Sequence, residues 1–210
     1  MSQIITRLFD SFADAEHAVI ELERAGVPRG DISIVSHKSH HKHAPAHVRE
    51  PQDSTAGEAA AKDAGVGAAA GGVVGAAGGV LAGLGLLAIP GLGPVVAAGW
   101  LASAAVGAVV GGAVIGAAGG LVGALTNAGV SREEAEVYAE AVRRGATLVS
   151  AKVADDKVVL AEAAIRDIVF VDVAVRGAAY RNAGWARFDE TATPYTDEEI
   201  ELERTRWIGR

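Results

Sequence analysis

AGVGAAAGGVVGAAGGVLAGLGLLAIPGLGPVVAAGWLASAAVGAVVGGAVIGAAGGLVGALTNAGVS, residues 64–131, runs for 68 residues without a charged side chain and holds 20 of the 27 glycines in the chain. Asp63 bounds it on one side and Arg132 on the other. A core of ordinary density is built from Leu, Ile, Val and Phe, so a stretch of Gly and Ala is a separate physical regime. Gly67, Gly71, Gly75, Gly79 and Gly83 recur every four residues, and Gly99, Ser103, Gly107 and Gly111, with Gly112, Gly116 and Gly120, answer them. Small residues at that spacing let two helix backbones touch along a ridge. Pro90-Gly-Leu-Gly-Pro94 has turn chemistry and no helix propensity. The pattern predicts a glycine-zipper α-helical hairpin over 58–130 with its tip at 90–94.

Each arm of such a hairpin has room to cross a bilayer, since Ala64 to Ile89 is 26 residues and a span needs about 20. Glycine in a water-exposed helix costs about 1 kcal/mol relative to alanine, so lipid or tight protein packing must remove that penalty. Most of the large apolar residues, Leu81, Leu84, Leu86, Leu87 and Ile89, crowd near the tip. That crowding keeps a second reading open, in which hairpins from several copies share a core without lipid. Trp100 is a single candidate for an interfacial anchor.

The flanks read as two halves of one domain. Over residues 1–37, IITRLF (4–9) is a strand, Ser11 with Asp14 opens a helix whose apolar residues end at Gly26, and DISIVSH (31–37) is a second strand. Over 131–176, Ser131 and Glu134 form a capping box for a helix through Arg144, and ATLVSAKV (146–153) is a strand. Asp155 or Asp156 then caps another helix, and the apolar run IVFVDVAV (168–175) predicts a central strand. The expected fold is α+β, a split ferredoxin-like (βαβ + αβαβ) domain. Neither half has enough strands to stand alone, so the insert must return to its starting point, as a hairpin does.

Residues 38–57 are polar, contain proline and lack periodicity, the composition of a flexible linker. With His37 they carry His40, His41, His43 and His47, weak candidates for Zn, Ni or Cu because their spacing matches no rigid motif. Five imidazoles would also gain charge together near their ordinary pKa of about 6.5. Residues 177–210 hold two of the three Trp and two of the three Tyr, then an acidic helical run from Asp197 to Glu203, and read as a wrapping arm.

A net charge of −7 gives no basic field for nucleic acid, which is therefore not an expected partner. With no cysteine there is neither a thiolate site nor a disulfide framework, in keeping with a reducing cytoplasm. The start, MSQIITRLFD, reads as a strand rather than a signal peptide. There is no GxSxG, HExxH or Walker loop, and the glycines follow a helical period rather than a dinucleotide fingerprint, so no enzyme activity and no cofactor are expected. Asp155-Asp156 and Glu133-Glu134 read as helix N-terminal charges rather than acid/base couples.

The stretches ERAGVPRGDISIVSH, AIPGLGPVVAAGWLASAAVGAVVGGAVIGAAGGLVGAL, GVSREEAEVYAEAVRRGATLVSAKV and YRNAGWARFDETATPYTDEEIELER cover most of the chain. Together they resemble a bacterial family of heat-induced, general stress proteins in which a ferredoxin-like domain is interrupted by a glycine-zipper segment. The resemblance implies stress-associated expression with membrane or assembly behaviour, and it supplies no catalytic residues. The leading expectation is a non-enzymatic protein whose hairpin inserts in a lipid bilayer and self-associates with a structural or membrane-modifying role, its α/β domain in the cytoplasm. The alternatives are a soluble cytoplasmic homo-oligomeric scaffold, shell or filament, and a small-molecule or metal sensor.

Overall fold

The computed structural model describes residues 2–37, 85–89, 91–102, 104 and 120–207. It is an α+β protein built on a five-stranded antiparallel sheet. The strands are β1 (Ser2–Phe9), β2 (Ile32–His37), β3 (Gly85–Ile89), β4 (Gly93–Ala98) and β5 (Thr147–Ala154), in the order β1-β5-β2-β4-β3. β5 pairs antiparallel with β1 from Ser2↔Ala154 to Phe9↔Thr147 and with β2 from Ile32↔Ala151 to Ser36↔Thr147. β1 and β2 are therefore parallel to each other, with β5 inserted between them. The two flanks of the chain thus interleave in one sheet, as their incompleteness required.

Helices cover both faces. The helices are α1 (Phe12–Arg24), α2 (Gly120–Asn127), α3 (Arg132–Arg143), α4 (Val158–Ile165), α5 (Val173–Asn182) and α6 (Asp197–Trp207). The alternation of β5 separates two cores. Val149, Ala151 and Val153 meet Ile5, Phe9, Ile32 and Ile34 under α1 and α4, whereas Leu148 joins Leu8, Val35, Val95 and Ala97 under α2 and α3. Each fully buried Leu, Val or Phe stabilises the fold by about 1.5–3 kcal/mol. Caps place the helices as the sequence predicts. Ser11 Oγ accepts from Asp14 N at 3.4 Å, and Ser131 Oγ accepts from Glu134 N at 3.3 Å while donating to Glu134 Oε2 at 2.7 Å.

Three expectations are corrected. The stretch around 90–94 is the turn of a β-hairpin rather than the tip of a helical one. β3 and β4 pair from Gly85↔Ala97 to Ile89↔Gly93, and β4 pairs with β2 from Ile34↔Ala98 to His37↔Val95. Leu92 N–H donates to Ile89 O at 3.1 Å, and Gly91 sits at φ +75°, in the left-handed region that favours glycine. Turn residues do not reveal what they connect, and the β-branched Val95-Val96 after Pro94 favours a strand. β2 takes up the ladder at Val95, one residue past Pro94, which has no N–H to give.

The predicted strand at 168–175 shrinks to a single bridge. Val171 N–H donates to Leu8 O at 2.7 Å. Asp172 Oδ1 then accepts from Ala174 N at 2.8 Å and Val175 N at 3.0 Å, so this aspartate caps α5 in the middle of the apolar run. Val169 is 80% exposed, so the run is not the two-sided interior strand its composition suggested. Neither Asp155 nor Asp156 caps α4. They begin a 3-10 turn, Asp155–Lys157, whose own cap is Ala154.

Candidate interaction site: the glycine turn and the arm that covers it

The buried face of α3 is interrupted by charge. Glu140 is fully buried, and its Oε1 accepts from Arg143 Nη2 at 2.8 Å and Arg144 Nε at 2.6 Å, both within one helical turn. Arg144 Nη1 also reaches Glu203 of α6 at 3.5 Å, and Glu203 accepts from Arg206 at 2.8 Å and from Trp207 Nε1 at 3.2 Å. A buried charge is tolerated when it is paired and hydrogen-bonded; here Glu140 is paired by Arg143 and Arg144 at the end of its own helix, and the C-terminal arm adds Glu203 as a second partner for Arg144.

Aromatic rings complete the seat. The Arg144 guanidinium lies 4.3 Å over the Tyr180 ring and 5.6 Å over Tyr195, Arg143 lies 5.1 Å over Tyr195, and Arg176 lies 3.9 Å over Trp207. Tyr180 meets Trp185 and Trp207 edge-on at 6.0 and 6.2 Å. Arg176 makes a two-pronged pair with Asp10 at 3.0 and 2.7 Å, tying α5 to the end of β1. Burial pushes the Tyr180 phenol up to about 12, so it keeps its proton at neutral pH.

Between α5 and α6 the arm crosses the β3–β4 turn. A Cβ at Gly91 would lie 2.7 Å from Glu190 Cα and 2.8 Å from Asp189 O, and one at Gly93 would lie 2.7 Å from Pro194 Cβ. Such approaches leave no room for a side chain at either position, so the glycines of the turn form the groove in which the arm rests. Phe188 fills the α3-face core, and Ile200 of α6 is buried against Gly145, where a Cβ would come within 2.5 Å of Ile200 Cγ2. The site holds one part of the chain against another through guanidinium, ring and backbone contacts.

The sequence-predicted residues are placed as follows. Gly67, Gly71, Gly75, Gly79, Gly83, Gly107, Gly111, Gly112 and Gly116 lie outside the described residues, as do His40, His41, His43 and His47. Gly99 is not a helix-packing residue. It bends the chain out of β4 at φ +82°, with its missing Cβ aimed at Ile32 O, and Leu101 N then donates to Ser33 Oγ at 2.9 Å. Gly120 starts α2 at φ +65°, against Ile89. His37 ends β2, where the strand reading of DISIVSH puts it, is buried and pairs in register with Val95. Among the described residues no three His, Asp or Glu are grouped to hold a metal ion, and no helix is long and apolar enough to cross a membrane.

A cleft of about 300 Å³ between α1 and the end of α4 is lined by Asp14, His17, Glu21 and Asp167, with Ile168 and Val169 as its apolar wall. His17 Nε2 lies 3.6 Å from Glu21 Oε1 there, one turn along α1.

Sequence reading missed the Glu140–Arg144–Glu203 network. Its signal was a Glu and two Arg at i, i+3 and i+4 next to the apolar Val137 and Ala141, a spacing that lets the three charges pair with one another on the helix. No known protein family, curated protein or solved structure matches the chain.

Proposed function

We propose that this chain is a non-enzymatic, stress-associated protein that assembles with copies of itself through its uncharged glycine-rich sequence, its α+β body serving as the soluble anchor. The observation that carries this reading is the β3–β4 hairpin, joined to β2 through residues 95–98. It fastens the middle of the uncharged stretch to the body, while α2 fastens its end through Leu121 and Leu125. The uncharged sequence left between Asp63 and Gly85 is 21 residues, and between 104 and Gly120 it is 15. Crossing a bilayer and returning takes about 40. That arithmetic supports a soluble assembly over a membrane-inserted hairpin, and the absence of charge supports burial of the same sequence between copies.

The finer fold reading belongs to the same proposal. The β1-β5-β2 order, with the Val171 bridge on the free side of β1, supports a ferredoxin-like sheet whose fourth strand is reduced to that bridge and whose opposite edge is extended by β3–β4. The resemblance to heat-induced proteins supports the stress association. Lysate fractionation followed by light scattering without detergent tests the proposal. Soluble particles larger than one chain are expected. A monodisperse monomer, or recovery only with the membrane pellet, would overturn it.

A further inference from the structure

The hairpin Gly85–Ala98 depends on two supports, its pairing with β2 over four residues and the arm that lies across its turn. The two supports differ in kind. The first is a β-ladder continuous with the rest of the sheet, whereas the second is a chain segment whose far end is fixed by α6. That helix buries only Ile200 and Glu203 of its eleven residues, and Leu202 on its outer side is 72% exposed.

We propose that the arm from Trp185 to Trp207 is a clasp that retains the β3–β4 hairpin in the sheet, so that undocking α6 releases the hairpin while β1 and β5 stay folded. The proposal deepens the self-association reading and rests on it for its consequence, since the hairpin is the point where the uncharged sequence is fastened to the body.

The path of force is continuous. Glu190 and Pro194 sit on Gly91 and Gly93, and Tyr195 is held under the guanidinium groups of Arg143 and Arg144. Arg144 is shared between Glu140 of α3 and Glu203 of α6, and Ile200 fills the space over Gly145. Trp207 closes the end of the helix on Arg176 and Tyr180. Undocking α6 removes the anchor from one end of the segment 188–194, and the segment is then held on the turn by Phe188 in the core and by the Tyr195 ring under Arg143 and Arg144. β1 and β5 meet that path through Asp10 and Arg176 and through Leu8 and Leu148, which share a core cluster with Phe188 and Tyr180. Their eight-residue pairing and the α1-face core remain.

The test is amide hydrogen exchange on the full chain, comparing Gly93–Ala98 with the β1–β5 ladder as internal reference. Ile200→Asp removes the buried anchor, and Leu202→Asp places the same charge on the exposed side of the same helix. Ile200→Asp is expected to raise exchange in β4 by about tenfold or more while the reference strands move by about twofold or less, and Leu202→Asp is expected to change neither. Unchanged β4 exchange in Ile200→Asp would overturn the clasp. So would an equal rise in the reference strands, which would make the arm part of one cooperative core. If Ile200→Asp does not fold, Trp207→Ala reads the same pattern from the other end of α6, with the same two refuting outcomes. Particle size measured in parallel separates the two proposals. Faster β4 exchange in a protein that is monomeric leaves the clasp standing and overturns self-association, whereas particles larger than one chain with unchanged β4 exchange do the reverse.

Discussion

Replacing Gly91 by alanine tests how closely the arm lies on the turn, and the cost can be worked from the geometry. The residue sits at φ +75°, where an L side chain costs about 1–2 kcal/mol. The new Cβ would also meet Glu190 Cα at 2.7 Å and Asp189 O at 2.8 Å, both backbone atoms that cannot rotate away. Forcing an extra carbon into so close a contact typically costs a further 1–3 kcal/mol, so the total is about 2–5 kcal/mol. Gly129 is the control. It has φ +99° with nothing within 4 Å of its Cβ position, so Gly129→Ala should lose only the backbone part, about 1–2 kcal/mol. Equilibrium urea unfolding gives both values, and with a slope of about 2 kcal/mol per molar the Gly91 variant should fall about 1–2.5 M in midpoint. In an Ile200→Asp background the extra cost at Gly91 should vanish, a coupling of about 1–3 kcal/mol. Equal costs at Gly91 and Gly129, or no coupling to Ile200, would refute the contact between turn and arm.

Other predictions concern the charges, the phenols and the glycine repeat. Glu140→Ala leaves Arg143 and Arg144 without their buried carboxylate and should destabilise the protein by about 3–5 kcal/mol in the same unfolding assay. Tyr138 and Tyr180 are both raised to about 12, first by burial, from an ordinary value of 10.0. Their contribution is therefore intact below pH 10 and is lost as pH rises through about 12, on the order of 3 kcal/mol or less for each phenol. A pH series of unfolding midpoints in which Tyr180→Phe flattens the alkaline loss checks this. Gly75→Leu and Gly111→Leu should each reduce particle size in light scattering if the four-residue glycine repeat lines the contact between copies, and unchanged size in both would exclude it.

Much of the body was legible because local signals and tertiary demands agree there. Ser11 and Ser131 cap as their sequence contexts predict, and β1, β2 and β5 alternate or run apolar with two covered faces. The reading failed where one residue type serves two structures. Pro90-Gly-Leu-Gly-Pro94 turns a chain in either regime, and only long-range pairing with β2 decides that strands flank it. The run 168–175 has strand composition, yet Asp172 takes two backbone N–H groups and starts a helix. The arm was expected as a wrapping segment, but not where it would seat. Its partners Gly91, Gly93 and Arg144 are about 45–100 positions away in sequence and carry no local mark of the contact.

The central claim is that residues 85–98 are strands joined to β2. The chain has no cysteine, so a single engineered pair can test it directly. Ser36 and Val96 are partners in the β2–β4 register. Paired residues across an antiparallel ladder have Cα atoms about 4.5–5.5 Å apart, within the range a disulfide spans. Under mild oxidation Ser36→Cys with Val96→Cys should therefore form a disulfide, and moving the second cysteine to Leu101 should abolish it. Free thiols in the Ser36/Val96 pair, with the fold intact by circular dichroism, would contradict the hairpin's place in the sheet.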